Sequence, residues 1–240
     1  MNLSAMTSPQ VGEYLKAKNA ILIPTGSLEQ HGPTGILGTD WITANRVAQE
    51  LGKALKIPVA PPLCYGMASH HMDYPGSATL RPSVYQAMLC EVFRSFYHSG
   101  FRRFFVINGH GGNEPSLRSA FQEFKCDARE GADFYYFPWW KSPKVAALAK
   151  ELFGELEGSH ATPTEVSLSY FIEGLDVPSY EYVQKKTDFP WPLTAKEFRK
   201  NYPDGTVASN PGLARAEYGP RILSLIVSEL SEEIQKALNV

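Results

Sequence analysis

The sequence predicts an α/β fold in which helices cover both faces of a mostly parallel sheet. Short apolar runs alternate with longer amphipathic stretches through most of the chain. Strands that alternate with helices are typical of parallel sheets whose two faces are both buried. The 240 residues contain no internal repeat or low-complexity segment, and we predict a single domain over residues 1–240.

Helix and strand patterns alternate in the first part of the chain. Apolar residues recur on one face of the stretch Thr39–Leu55, and the helical pattern of Pro82–Ser99 stops at Gly100, a typical helix-ending residue. The predicted elements, in order, are a helix at 11–18, a strand at 20–24 (AILIP), a helix at 39–55, a short strand at 57–63, a helix at 82–99 and a strand at 101–107 (FRRFFVI).

The second part of the chain continues this alternation and then departs from it. Asn113 can cap a helix whose first turn tolerates Pro115. Residues 176–212 are rich in proline and aromatic residues, so we predict an irregular insertion there. The other predicted elements are a helix at 114–129, a strand at 134–137, helices at 145–153 and 164–173, and a long final helix at 214–238.

Composition excludes several classes of partner. The net charge is −2, from 23 basic and 25 acidic residues spread along the chain, so no nucleic-acid or membrane-surface footprint is expected. No apolar run approaches the ~20 residues that span a bilayer, and the start MNLSAMTSPQVGEYL lacks a signal-peptide pattern. The three widely separated cysteines fit reduced thiols. We therefore expect a cytoplasmic protein.

Two polar, glycine-rich stretches directly follow predicted strands. PTGSLEQHGPTGILGTD, residues 24–40, follows AILIP, and NGHGGN, residues 108–113, follows FRRFFVI. In parallel sheets, sites gather beyond the carboxyl ends of the strands. If the two strands are neighbours, both stretches open onto the same edge of the sheet.

These stretches carry side chains that can bind metal. Glu29 and His31 are two residues apart and point the same way in extended backbone, Asp40 can turn back from the next helix, and His110 arrives from the second strand. This set suits Zn²⁺, Mn²⁺ or Fe²⁺ and lacks the thiolates of a structural zinc site. An aspartate can bridge two ions, and Glu165 in HATPTEVS is the best candidate for a further ligand.

Other interpretations remain open from the residues alone. Each acidic or histidine side chain could be solvated, and Asp40 could cap a helix. The backbone N–H groups of NGHGGN could cradle phosphate, although the stretch matches neither the Walker pattern nor GxGxxG. The chain could then be a non-catalytic ligand- or phosphate-binding protein, or an oligomeric interaction protein that assembles through the aromatic segment 180–202.

The motifs GSLEQHG, GTD, INGHGGN and HATPTEVS, in this order and spacing, resemble those of the creatininase (creatinine amidohydrolase) family. The segments YGMASHHMDYPGSATL and ARAEYGPRIL are also similar to family segments, so that the resemblance covers roughly residues 10–233. It implies a three-layer α/β/α sandwich that hydrolyses a C–N bond in a cyclic or linear amide. It further implies a homo-oligomer, commonly a hexamer built as a trimer of dimers, and a small-molecule substrate.

The resemblance also implies two divalent ions per chain, with zinc expected first and manganese or iron as alternatives. A hydroxide that bridges the ions would be the nucleophile. By the resemblance, Glu29, Asp40 and His110 hold one ion. His31, Asp40 and Glu165 hold the other, so that Asp40 bridges the pair.

The chain departs from creatininases proper at several positions. Creatininases proper carry a glutamate ligand two residues after the metal-binding histidine, and this chain has Gly112 there, so we predict a GHGGN-type member that uses Glu165 instead. Thr34 replaces a histidine that many relatives carry, while Thr162 and Val166 replace the usual glycine and threonine around Glu165. The proposed ligands all remain, but creatinine is not assumed to be the substrate.

Further residues are expected to handle the substrate. We predict that His160, ahead of His70 or His71, donates the proton that an amide leaving group needs. Backbone N–H groups of Gly111 and Gly112 could assist at the oxyanion, and a tryptophan could stack on a planar amide. Structural or interface packing is the alternative for the paired histidines and tryptophans. The predicted substrate-contacting residues are Ser69, His70, His71, Gly111, Gly112, Trp139 and Trp140.

Overall fold

Three parallel strands form the centre of the fold in the computed structural model, which describes residues 1–127, 130–181 and 190–239. They are β1 (Ala20–Thr25), β2 (Arg103–Asn108) and β3 (Asp133–Pro138), in the order β1-β2-β3. Thr25 pairs with Asn108, and Asn108 pairs with Pro138, so the strands end at one level. The predicted parallel sheet is confirmed, and the polar stretches after β1 and β2 open onto the same edge.

Helices surround this sheet and connect its strands. The described ranges contain the α-helices α1 (Ser8–Ala17), α2 (Thr39–Leu55), α3 (Pro82–Ser99), α4 (Glu114–Cys126), α5 (Pro143–Phe153), α6 (Pro163–Glu173), α7 (Ala195–Asn201) and α8 (Gly219–Leu238). None of the helices in these ranges is both long enough and apolar enough to cross a membrane.

Successive strand residues bury opposite faces of the sheet, as the two-residue period of a strand requires. Ile21 and Phe104 pack in one cluster with residues of α3 and α4. Leu22 and Phe105 pack in a second cluster with residues of α2, α5, α6 and α8. Burial of each such side chain contributes about 1.5–3 kcal/mol of hydrophobic stabilisation. Helices on both faces give the three α/β/α layers that the resemblance implied.

The predicted strand at residues 57–63 is not a regular strand. Val59 and Leu63 form only isolated bridges beside Leu22 and Thr25 of β1. Prolines at positions 58, 61 and 62 have no N–H group and cannot donate to a ladder. The segment therefore runs beside β1 and is held there by separate backbone hydrogen bonds instead of a regular ladder.

Several helix boundaries also differ from the predicted ones. The final helix begins at Gly219 instead of residue 214, because Pro220 occupies its first turn. Helix α4 ends at Cys126, while residues 128–129 of the predicted helix lie outside the described part. The predicted irregular insertion contains α7, which begins with a capping box of Thr194 and Glu197. Its residues 182–189 lie outside the described ranges.

Candidate metal centre

The loop after β1 folds back so that its two ends meet. The Glu29 N–H donates to the Leu37 carbonyl at 3.0 Å. A Cβ on Gly26 would collide with the backbone of Trp41, so the start of the loop lies directly against the first turn of α2. Gly38 is the N-cap of α2, which leaves the Asp40 side chain free of a capping role. Asp40 therefore faces the same space as Glu29 and His31.

His110 reaches this space from the loop after β2. A Cβ on Gly109 would collide with the Asp40 carbonyl oxygen, so only glycine lets the two loops approach this closely. The His110 Nε2–H donates to the Met67 carbonyl at 2.9 Å. His110 Nδ1 then lies 3.0 Å from Asp40 Oδ2 and 3.2 Å from Glu29 Oε1. A second hydrogen bond that orients the ring in this way is typical of metal-binding histidines.

His31 is oriented in the same manner and faces Asp40 from the other side. Its Nδ1–H donates to the Glu29 carbonyl at 3.1 Å, and its Nε2 lies 2.9 Å from Asp40 Oδ1. Glu165 Oε1 lies 4.0 Å from the same Nε2. Glu165 stands in the first turn of α6, where its carboxylate also accepts the Thr162 N–H in a capping box.

The donor set leaves buried polar atoms without hydrogen bonds. Among the described residues, no hydrogen bond reaches either carboxylate oxygen of Glu29, Asp40 Oδ2 or His31 Nε2. Buried polar atoms are normally satisfied, so a group of such atoms fits the binding of a cation. The donors that lie within 4.8 Å of one another form three groups: Glu29, Asp40 and His110; His31, Asp40 and Glu165; Glu29, His31 and His160.

When no ion is bound, protonation of the neighbouring histidines offsets the negative charge of the buried carboxylates. Burial opposes a charge on His31, but the adjacent Asp40 carboxylate raises the His31 pKa to about 10. Burial likewise opposes a charge on His110, whose pKa is raised well above its ordinary value by Glu29 and Asp40. Burial raises the Glu165 pKa to about 7. The His31 cation opposes this rise, and the negative charge of Asp40 adds to it. For Glu29, burial raises the pKa, but His110 and His71 hold it well below its usual range.

Two further histidines stack beside Glu29. The His71 and His160 rings lie parallel with centroids 4.4 Å apart. His71 Nε2 is 3.3 Å from Glu29 Oε1, and His160 Nδ1 is 3.8 Å from the same oxygen. Burial lowers the His160 pKa well below its ordinary value, and the neighbouring His71 and His31 rings lower it further. This direction favours a neutral His160 ring.

Two cavities of about 520 Å³ each meet at the donor cluster. The first includes Trp139, Trp140 and Glu165 in its wall, and the second includes Glu29, His71 and Phe198. Both are lined by His110, Gly111, Ser159 and His160. The cluster is therefore accessible from two sides.

The predicted substrate contacts divide between the cavities and the outside. Gly111 lines both cavities, and His70, His71 and Gly112 line the second. Trp140 is half-buried in the wall of the first, whereas Trp139 is 1% exposed and its Nε1 donates to Thr43 Oγ1 at 3.2 Å, which favours the packing alternative for Trp139. Ser69 is exposed and lines neither cavity.

Sequence reasoning missed amides that hold the site together. Asn113 stands at the N-cap of α4, but its side chain makes no capping hydrogen bond. Its Nδ2 donates to the Gly26 carbonyl at 2.9 Å and its Oδ1 accepts the Met67 N–H at 3.0 Å, so it joins three loops. Gln30, between the two predicted ligands, contacts both His71 and His160. Its place between Glu29 and His31 in the EQH motif could have pointed to Gln30. A side-chain amide is not a typical ligand for these metals, however, so nothing else in the sequence marks it.

Comparison with known families gives one match over nearly the whole chain. The family model "Creatininase: Creatinine amidohydrolase" matches residues 4–234. The chain is 30% identical to "Mycofactocin precursor peptide peptidase" of Mycolicibacterium smegmatis over 230 residues, 90% of this chain and 84% of that protein. It is also 30% identical to "3-dehydro-scyllo-inosose hydrolase" of Thermotoga maritima over 166 residues, 69% of this chain but only 53% of that protein.

Solved structures show the same fold. A crystal structure of creatinine amidohydrolase superposes with a TM-score of 0.82 at 21% sequence identity, covering 99% of this chain and 97% of that one. Related creatininase structures are described as a Mn form and as a Zn-Zn type.

Proposed function

The chain belongs to the creatininase family, and from this premise we propose that it is a metal-dependent hydrolase that cleaves a C–N bond in a cyclic or linear amide. The observation that carries this proposal is the donor cluster, in which side chains from two strand-end loops and from α6 meet around unsatisfied buried oxygens. The names of the matched relatives, which include a peptidase and an amidohydrolase, support a hydrolase.

Two ions fit the donors present. Glu29, Asp40 and His110 would hold one, while His31, Asp40 and Glu165 would hold the other. When bound, such ions lower the pKa of a water towards neutrality and polarise a carbonyl oxygen. The nitrogen and oxygen donors suit zinc first and manganese or iron as alternatives. The Mn and Zn-Zn descriptions of solved family members agree with this choice.

The chain's own residues would bind the substrate and move its protons. Gly111 lines both cavities and Gly112 lines the second, and their backbone N–H groups would stabilise the developing oxyanion. His160 lies between the two cavities, where its Nδ1 can carry a proton to the departing nitrogen, which is a very poor leaving group without one. Trp140 and His70 would contact the parts of the substrate that extend into the first and second cavity.

The charge of the cluster disfavours the phosphate-binding alternative. Glu29, Asp40 and Glu165 place three carboxylates together, and a bound phosphate would add negative charge to them. A cation relieves their repulsion, whereas an anion increases it. A non-catalytic protein that binds only metal and an oligomeric interaction protein are the remaining alternatives, and turnover separates the enzyme from both.

We propose a single domain over residues 1–240 in a homo-oligomeric, cytoplasmic protein, with a hexamer as the expected assembly. The substrate is proposed to be a small-molecule amide. Creatinine is not assumed, because Gly112 stands where creatininases proper carry a ligand.

The test is hydrolysis by metal-defined protein. Metal-free protein reloaded with Zn²⁺, Mn²⁺ or Fe²⁺ is assayed against small cyclic amides, formamides and short peptides. Asp40→Asn is compared with Asp133→Asn, the same change at an exposed position on β3. We expect Asp40→Asn to lose both metal and turnover while Asp133→Asn keeps them. Turnover that survives in Asp40→Asn, or in the metal-free protein, would contradict the proposal.

A further inference from the structure

The Gln30 side chain is held in one orientation by two backbone groups. It is only 5% exposed. Its Oε1 accepts the Gly32 N–H at 2.8 Å, and its Nε2 donates to the Gly205 carbonyl at 3.0 Å. A backbone N–H can only donate and a carbonyl can only accept, so these two contacts fix which end of the amide is oxygen. One N–H of the amide then remains to be donated.

Two imidazole nitrogens compete for this remaining N–H. His71 Nδ1 and His160 Nε2 each lie 2.9 Å from Gln30 Nε2. The backbone carbonyl of Gln30 also lies 2.9 Å from His160 Nε2. A neutral imidazole carries one donor and one acceptor nitrogen, so His160 Nε2 can hydrogen-bond either to the Gln30 amide or to the Gln30 carbonyl, but not to both.

One arrangement gives each of these groups a hydrogen-bond partner and leaves the 2.9 Å approach of Gln30 Nε2 to His160 Nε2 as a contact without a hydrogen bond. If the amide donates to His71 Nδ1, then His71 carries its proton on Nε2, which faces the Glu29 carboxylate at 3.3 Å. His160 then donates its own Nε2–H to the Gln30 carbonyl. In the opposite arrangement the amide donates to His160 Nε2, whose lone pair then also faces the Gln30 carbonyl oxygen at 2.9 Å, and His71 Nδ1 is left without a donor.

We propose that Gln30 sets the tautomer of His71 through its side-chain amide and that of His160 through its backbone carbonyl, so that both rings carry their protons on Nε2 and His160 presents an unprotonated Nδ1 to the donor cluster. Gly205 helps to hold the Gln30 amide in this orientation. A Cβ there would collide with the Gln30 amide, and its φ of +85° favours glycine independently. The loop that carries Gly205 thus locks the amide in place.

This inference deepens the proposed function and refines the expected role of His160. With its Nδ1 unprotonated, His160 begins a reaction as a proton acceptor and becomes a donor only afterwards. Nδ1 takes a proton from the water as its oxygen bonds to the carbonyl carbon. Nδ1 then returns that proton to the nitrogen, which keeps the electron pair of the broken C–N bond. Proton number is conserved over the cycle, and no further reactant is needed.

The tautomers are measurable without turnover. Magic-angle-spinning ¹⁵N spectra of metal-free protein labelled with [¹⁵N]histidine distinguish protonated from unprotonated ring nitrogens, at about pH 8 where an unperturbed histidine is neutral. His71→Gln and His160→Gln identify the signals of each ring among the six histidines. We expect both rings to show a protonated Nε2 and an unprotonated Nδ1. A proton on Nδ1 of His160 would overturn the proposal.

Gln30→Met removes the amide donor at nearly constant volume, and Gln122→Met makes the same change at an exposed position of α4. In Gln30→Met we expect the His71 Nδ1 signal to move towards that of a free acceptor nitrogen, while His160, whose partner is a backbone carbonyl, keeps its pattern. Gln122→Met should leave both patterns unchanged.

An unchanged His71 signal in Gln30→Met would contradict the proposed role of the amide. If that variant fails to fold, the wild-type spectrum alone still decides the tautomers. Because no substrate is used, these results stay separate from those of the hydrolysis assay: correct tautomers without turnover would contradict only the proposed function.

Discussion

At the scale of single residues, Glu165 combines two roles that substitution can separate. Its carboxylate caps α6 by accepting the Thr162 N–H, and it also faces His31 in the donor cluster. Glutamine keeps the capping geometry but is a much weaker metal ligand. We expect Glu165→Gln to reduce bound zinc from about two ions per chain to about one, while the unfolding free energy of the metal-free protein changes by less than about 1 kcal/mol.

Thr162→Ala provides the matched comparison. It removes the side-chain oxygen that accepts the Glu165 N–H, so we expect a loss of about 1 kcal/mol in urea unfolding with zinc stoichiometry unchanged. Zinc content is measured by elemental analysis on both variants. Full zinc occupancy in Glu165→Gln would remove Glu165 from the proposed ligand set.

Glu29, His31, Asp40 and His110 could be singled out from the sequence, because their chemistry and their places in the stretches after β1 and β2 are both visible there, whereas Glu165 was chosen as a further candidate in a helical segment. The side chains around them could not. Gln30 and Asn113 act through hydrogen bonds to backbone groups that are distant in the chain, at Gly205 and at Gly26 and Met67. Such partners depend on how the loops cross, and no local pattern encodes that.

At the scale of elements, the approach of the β2 loop to α2 depends on Gly109. A methyl group there would collide with the Asp40 carbonyl, so one of the two loops would have to move. We expect Gly109→Ala to lower the unfolding free energy of the metal-free protein by about 1–3 kcal/mol, because overpacking forces backbone shifts, and to weaken zinc binding as well.

Gly12→Ala serves as the control for this prediction. Gly12 lies within α1 and has no atom within 4 Å of the position of a new Cβ. Alanine there should stabilise the protein by about 0.5–1 kcal/mol, the usual gain over glycine in a helix. Denaturant titrations of the two variants should therefore shift in opposite directions. A Gly109→Ala protein as stable as wild type would show that the loops are not tightly packed.

The elements themselves were largely predictable, and the misses have local causes. The strands flanked by glycine-rich loops were correctly identified because continuous apolar runs mark buried parallel strands. The segment at 57–63 has a similar apolar composition, but its three prolines prevent regular pairing. Helix α7 was missed inside a segment where proline and aromatic residues dominate the composition.

At the scale of the whole molecule, protonation of the donor cluster links metal binding to global stability. In the metal-free protein the pKa of Glu165 is raised from 4.5 to about 7, and that of His31 from 6.5 to about 10. Both groups bind protons more tightly in the folded state, so their stabilising contribution is complete below the unfolded values. It is lost as pH rises, through about 7 for Glu165 and about 10 for His31.

Zinc displaces these protons, so its binding strengthens as pH rises. We expect the increase in Tm on addition of Zn²⁺ to be larger at about pH 8 than at about pH 6, while the metal-free protein loses stability over the same interval through these two groups. Calorimetry at both pH values, with and without zinc, measures this. An increase in Tm that is equal at the two values, or larger at about pH 6, would contradict the proton-for-metal exchange.

The second cavity has a wall that contributes nothing to the donor cluster. Trp191, Phe198 and Tyr202 line it from the part of the chain between α6 and α8, whereas the five proposed ligands stand on the loops after β1 and β2, on α2 and on α6. Gly205 lies in the same part of the chain but differs from these aromatic residues, because its carbonyl holds the Gln30 amide. Substitutions at the three aromatic positions would change which compounds enter the second cavity and leave the ligands in place, so that new specificities could evolve around an inherited metal centre.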